Sequence, residues 1–142
     1  MSYDIYLTDP VSRDTIELPI KHIMTGGTFA ADYDEKSGKF YAKAISEAWL
    51  NITYNYSRYY REALEEYFQN KRENKGIRIL YGKTGAESLL WIGYLINGIK
   101  EKYPKLETND DYWEPTPGNA IRPLYQLKAM AELRPDGIWE GD

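Results

Sequence analysis

Residues 47–56 read Glu47-Ala48-Trp49-Leu50-Asn51-Ile52-Thr53-Tyr54-Asn55-Tyr56. Trp49, Ile52, Thr53 and Tyr54 are aromatic or β-branched, the side chains that fit a pleated surface, and they favour a strand. The run leads directly into a helical pattern, so a helix over the same residues stays open. From Ser57 to Glu73 the pattern is helical, with Tyr60, Leu64, Tyr67 and Phe68 on one face at i, i+4, i+7 and i+8. Asn74-Lys75-Gly76 stops that helix. Ile77–Tyr81 has the content of a buried strand but is too short for periodicity to decide between strand and helix.

Further along, Thr84-Gly85-Ala86-Glu87 has the form of a capping box, in which the Thr hydroxyl and the Glu carboxylate each satisfy a free backbone N–H. The helix it starts runs to about Tyr103, where Pro104 closes it, and its apolar face is Leu89, Ile92, Leu95, Ile96 and Ile99. Lys105–Pro117 is a polar, aromatic loop. Thr116-Pro117 opens a last helix with a capping hydroxyl and a proline in the first turn. Ile121, Leu124, Leu127, Met130 and Leu133 form its core side, and Pro123 marks an irregular start. Arg134-Pro135-Asp136-Gly137 ends it, leaving a tail whose Trp139 is able to dock.

Working back to the N-terminus, Asp4–Thr8 and Thr15–Leu18 flank the turn-rich Asp9–Asp14 and predict a hairpin, ended by Pro19. The Gly pair in Thr25-Gly26-Gly27-Thr28 allows close backbone approach. Asp32–Lys39, with Ser37-Gly38 as a turn, reads as a surface loop or hairpin tip. With no internal repeat and no long linker, residues 1–142 form one α+β domain, a small and mainly antiparallel sheet covered by about three helices.

Composition narrows the function classes. A chain of 142 residues, 42% hydrophobic and 28% charged, supports one core without staples. The net charge of −4 argues against extended nucleic acid as a partner, which needs a basic footprint. With no cysteine, thiolate metal sites, disulfides and thiol nucleophiles are out. The start of the chain lacks the basic and apolar regions of a signal peptide, and Leu89–Ile99 is too short to span a bilayer. The expected location is the cytoplasm, with no membrane partner. His22 is the only histidine, so no His-rich metal site is expected. Asp32, Asp34 and Glu35 read as a solvated turn rather than a calcium loop.

Gly82-Lys83-Thr84 imitates the end of a phosphate-binding loop, but five residues rather than four separate Gly76 from Gly82, and the five are too apolar for a phosphate cradle. What survives is an anion-favouring helix start with Lys83 beside it and Arg78 within reach. Aromatic content is high, with 14 Tyr, 4 Trp and 3 Phe. Asn51–Tyr60 mixes amides, hydroxyls and rings, and Asp110–Asn119 repeats the mixture around Trp113. Rings stack on bases, and amides bond base edges and sugar hydroxyls. On this reading Arg78, Lys83 and Thr84 hold phosphate. Tyr56, Tyr59 or Trp113 stacks on a base, and Asn51, Asn55 or Asn119 bonds base or sugar. No motif assigns a catalytic residue, a metal or a cofactor.

Four strings, Glu47 to Tyr56, Tyr81-Gly82-Lys83-Thr84-Gly85-Ala86-Glu87-Ser88, Asp111 to Ala120 and Arg134-Pro135-Asp136-Gly137, together resemble a family of small phage and prophage proteins of Gram-positive bacteria. The resemblance spans most of the chain and carries over no catalytic residue. It implies an anti-defence setting in an infected host, where proteins of this size sequester nucleotide-derived immune signals such as cyclic ADP-ribose relatives or cyclic oligonucleotides. The expected function is therefore capture of such a small molecule without turnover, by a homo-oligomer with pockets near subunit contacts. Two alternatives stand beside it: a protein-binding inhibitor of a host defence protein or nuclease, and a small enzyme that cleaves a nucleotide.

Overall fold

Alternation along residues 2–8 puts Tyr3, Ile5 and Leu7 on one face, and all three are buried. The computed structural model describes residues 1–23 and 31–142. Its elements, in chain order, are β1 (Ser2–Thr8), β2 (Glu17–Ile23), β3 (Ala31–Asp34), β4 (Lys39–Ala42), β5 (Ala44–Glu47), β6 (Trp49–Thr53), α1 (Ser57–Leu64), α2 (Gly85–Lys102), α3 (Pro117–Leu133) and β7 (Ile138–Gly141). Short 3-10 turns fill the segment between α1 and α2. The fold is α+β, with antiparallel sheets and three α-helices among the described residues. The Gly pair of residues 25–28 lies outside the described residues.

β1 is the middle strand of a three-stranded antiparallel sheet ordered β6-β1-β7. Ile5 lies opposite Leu50 on one side, and Leu7 opposite Trp139 on the other. β2 pairs with β5, and β3 with β4 around the Ser37-Gly38 turn. The first two sheets meet at a corner of three backbone hydrogen bonds. Leu7 N–H donates to Ala48 O (2.9 Å), Ala48 N–H to Ile16 O (2.8 Å), and Ile16 N–H to Leu7 O (2.9 Å).

The expected N-terminal hairpin is replaced by this arrangement. The Asp9–Asp14 turn does fold back, with Arg13 in the left-handed region (φ 65°) and Asp9 Oδ1 accepting from Val11 and Ser12 N–H. The two strands share only the Thr8–Thr15 bridge. Both edges of β1 are then taken by strands from far along the chain, a long-range choice that local patterning does not carry. Pro19 does not end its strand. It lies inside β2, where the pairing with β5 shifts register between Glu17 and His22, as expected of a residue with no N–H to donate.

Two local readings are also corrected. The helix expected over Ser57–Glu73 stops at Leu64, followed by 3-10 turns at Glu65–Tyr67 and Lys71–Glu73. Remote side chains satisfy the carbonyls of its last turn. Asn74 Nδ2 donates to Arg61 O (2.8 Å), and Lys102 Nζ donates to Glu62 O (2.5 Å). The strand-like Ile77–Tyr81 is a 3-10 turn over Gly76–Leu80, entered through Gly76 at φ +60°. Its Ile77 and Leu80 are buried, so the apolar content reported burial rather than backbone state.

Helix starts follow the sequence closely. Thr84 Oγ1 accepts from Glu87 N–H, and Glu87 Oε1 accepts from Thr84 N–H, both at 3.1 Å. Hydrogen bonds from Thr84 hold the Glu87 carboxyl below its usual range. That contribution is therefore present above the unfolded pKa and lost as pH falls through the lower folded value. Thr84→Ala is expected to cost about 1 kcal/mol in urea unfolding near neutral pH, with a smaller difference after acidification. Thr116 caps α3 in the same way, accepting from Asn119 N–H (3.2 Å), and Pro123 sits buried inside the helix.

α2 packs between α1 and α3. Gly98 permits the contact with α1, because a Cβ there would lie 2.5 Å from Ala63 O and 2.7 Å from Ala63 Cα. Ile92, Leu95, Ile96 and Ile99 face the core, whereas Leu133, expected on the core side of α3, is 41% exposed at the end of its helix. The tail is part of the core. Trp139 is fully buried, and its Nε1 donates to Ser88 Oγ (2.8 Å). No helix among the described residues is long and apolar enough to cross a membrane.

Candidate functional site

Tyr56, Tyr59 and Tyr60 recur at helical spacing, so the approach to α1 and its first turn present a row of rings to the segment that precedes α3 and to the first turn of α3. Their phenols are donors to carbonyls there. Tyr56 OH donates to Tyr112 O, Tyr59 OH to Pro115 O (2.8 Å) and Tyr60 OH to Ala120 O (2.8 Å). Burial pushes the Tyr56 phenol up, with the neighbouring Tyr112 adding to it, and burial raises Tyr60 and Tyr112 as well. All three stay protonated at neutral pH.

Tyr112, which the sequence reading passed over beside Trp113, is the counterpart on the loop. Its OH accepts from Thr53 N–H (2.8 Å) and donates to Asn51 O (3.2 Å), joining the loop to β6. Its only signal in the sequence is a tyrosine between an acidic pair and Trp113.

The amides expected to read a ligand have partners inside the protein. Asn51 is buried, and its Nδ2 donates to Ser2 Oγ (2.8 Å) and Asp4 Oδ1 (2.9 Å). Asn55 is exposed, with Nδ2 donating to Trp113 O (2.7 Å). Asn119 is buried and shapes the loop. Its Nδ2 donates to Asn109 O (3.0 Å), Asp111 O (3.1 Å) and Glu114 O (3.4 Å), while Oδ1 accepts from Asn109 N–H (3.2 Å). Asn51, Asn55, Tyr56, Tyr59 and Asn119 thus gather around the loop that carries Trp113, and most of their polar capacity goes to holding it. Trp113 keeps the most open ring of the candidates, 46% exposed and edge-on to Tyr112 at 5.0 Å.

The three residues expected to hold phosphate have separate partners. Arg78 Nε donates to Asp142 O (3.0 Å) and Nη2 to Tyr54 OH (3.0 Å), and its guanidinium lies over the Tyr3 and Tyr54 rings. Lys83 Nζ donates to Ile79 O (2.8 Å) and rests 5.7 Å from the centre of the Trp91 ring. Thr84 caps α2.

An open groove lies where α2 ends and the loop before α3 begins. It encloses about 470 Å³ and is lined by Tyr59, Lys102, Tyr103, Pro104, Lys105, Leu106, Glu107 and Pro117. Tyr59 and Tyr103 meet edge to face at 5.1 Å. The Arg58 guanidinium sits 4.9 Å over the Tyr59 ring, and Arg58 Nη2 donates to Tyr59 OH (3.2 Å). Tyr103 OH donates to Glu62 Oε2 (2.5 Å), and that bond, followed by burial, raises the Tyr103 phenol. Of the lining ammonium groups, Lys102 pairs with Glu65 (2.9 Å), and Lys105 is exposed with no ion pair among the described residues. Tyr59 is buried, so the groove offers the half-buried Tyr103 ring, apolar surface from Leu106 and the prolines, and the cations Lys102 and Lys105.

Comparison of the chain with protein-family models, curated proteins and solved structures finds no match.

Proposed function

We propose that the chain is a binding protein that captures an anionic, nucleotide-derived small molecule without turnover, in the groove walled by Tyr59 and Tyr103. The observation that carries this reading is the joining of aromatic walls and cations in one opening of about 470 Å³, inside the range of small-molecule sites. The Tyr103 ring, which is half-buried where Tyr59 is buried behind it, takes the base, and Lys105, with Arg58 over Tyr59, takes the phosphate. Capture is favoured over cleavage because the groove's phenols are held as donors to carbonyl and carboxylate partners. Closure of the groove's open side by a second copy, and action in the cytoplasm of an infected host as an anti-defence factor, belong to the same proposal and rest on the family resemblance.

The test is a thermal-shift screen against cyclic ADP-ribose isomers, ADP-ribose conjugates and cyclic di- and trinucleotides. A ligand at 100 times its dissociation constant adds about 2.7 kcal/mol, roughly a 5–15 °C shift for a domain of this size. Lys105→Glu is expected to weaken binding of the shifting ligand by ~10-fold or more, the cost of a lost charge-assisted hydrogen bond. Lys83→Ala is expected to leave it unchanged, since Lys83 is held by Ile79 O. A flat screen sinks the reading, and a shift that survives Lys105→Glu moves the ligand out of this groove.

A further inference from the structure

On another part of the surface, two rings from the 3-10 turn that follows α1 and two from α2 form a platform. Tyr67 stacks on Tyr94 with centroids 4.1 Å apart and planes at 14°, and Phe68 stacks on Trp91 at 5.9 Å and 24°. Trp91 stands edge-on to both tyrosines, at 6.3 Å from Tyr67 and 5.6 Å from Tyr94. Tyr67 is 41% exposed, and Leu90 next to Trp91 is 57% exposed. Contiguous apolar surface of this kind on a protein exterior marks an interaction site more often than isolated exposed residues do.

Apart from Lys83 over Trp91, the charge beside the platform that is left without an ion pair is acidic. Glu65 and Glu66 precede Tyr67 in the same turn, and with Glu62 and Glu101 they line an adjoining groove of about 300 Å³. Glu65 is paired with Lys102 and Glu62 with Arg58, but Glu66 and Glu101 have no ion pair among the described residues. Desolvation raises the Tyr67 phenol, and the hydrogen bond and charge of Glu66 and the charge of Glu101 add to it. The platform already holds one cation of the chain's own, since Lys83 Nζ rests over Trp91.

We infer that this face docks an arginine-bearing segment of a protein partner. A guanidinium lies flat on Tyr67 or Tyr94 while its fork engages Glu66 or Glu101. Arginine suits both contacts better than lysine, being planar, weakly hydrated and bidentate toward carboxylates. A second copy of this chain is disfavoured as the occupant. An isologous contact sets each patch against itself and would bring the unpaired carboxylates together. The surface is distinct from the proposed ligand groove, and its occupation does not depend on that reading.

The test uses the full chain and a fluorescein-labelled arginine-rich decapeptide, with a lysine decapeptide of equal charge as comparison. The expected result is saturable binding that raises the fluorescence anisotropy of the labelled peptide, tighter for the arginine peptide. Glu66→Lys combined with Glu101→Lys should weaken it ~10-fold or more, as should Tyr67→Ala. Glu132→Lys, which makes the same kind of charge change on α3, should not do so, and neither should Lys105→Glu. The inference is overturned if the peptide fails to bind, if Glu132→Lys weakens it as much as the double variant, or if the lysine peptide binds equally well. It is also overturned if sedimentation shows a dimer that Tyr67→Ala dissolves.

Discussion

Trp139→Ala is expected to lower the free energy of unfolding by about 3–5 kcal/mol, a large part of the 5–15 kcal/mol typical of a domain. Trp139 is fully buried although it stands only three residues from the last residue of the chain. Its ring lies between the central strand and the start of α2. Leu7 of β1 lies opposite it in the β1–β7 pair, and its Nε1 donates to Ser88 Oγ, which itself donates to Gly85 O (2.7 Å). Its backbone closes a second link, donating to Lys83 O (2.9 Å) and accepting from Gly82 N–H (2.8 Å). Removal of the indole leaves a buried cavity and strands the Ser88 hydroxyl that it bonded. Urea unfolding with an unchanged slope measures the loss. Trp113→Ala, on the exposed loop, is the matched control and should stay within about 0.5 kcal/mol. A loss below about 1 kcal/mol for Trp139→Ala would mean that β7 is not part of the cooperative core.

Trp139 also shows where local reading of this sequence stops. The features legible in advance were those whose partners are near in the chain: the capping box at Thr84 and Glu87, the Thr116-Pro117 start of α3, the turn at Ser37-Gly38 and the apolar stripe of α2. Each is decided within about one helical turn or one reversal. Features decided at long range were read differently. β1 looked like half of a hairpin, yet its edges belong to residues 49–53 and 138–141. The helix expected to reach Glu73 ends at Leu64, where Asn74 and Lys102 satisfy its carbonyls. The candidate site shows the same division. Side-chain types were legible: the Tyr/Asn-rich run and the Trp113 loop do come together. What their polar atoms bond was not, because Asn51, Asn119 and Tyr56 find partners that are themselves set by the tertiary fold. Lys105 and Tyr103, which border the groove, carried no signal beyond a helix end followed by proline.

Asn119→Ala is the second large effect, and it links stability to the proposed function. One buried amide serves the carbonyls of residues 109, 111 and 114 and the N–H of residue 109, so a single side chain imposes the path of the loop before α3. Each buried polar group stranded by its loss costs about 1–3 kcal/mol. Water reaches the exposed side of the loop and offsets part of this, so the expected total is about 2–3 kcal/mol. Asn119→Asp should recover little, because a carboxylate keeps the acceptor for Asn109 N–H but turns negative charge toward three carbonyl oxygens. The change should also be felt in the groove. Glu107 O accepts from Gly118 N–H (2.8 Å) and Pro115 O from Tyr59 OH, so a loosened loop releases the groove wall at Pro117 and the hold on Tyr59 together. Hydrogen exchange should rise over residues 106–116 while the amides of β1 and the middle of α2 stay protected. Affinity for the groove's ligand should fall with it, even though Asn119 does not line the groove. Loss of protection spread evenly through the chain would instead make Asn119 a determinant of global stability, with no separate hold on the loop.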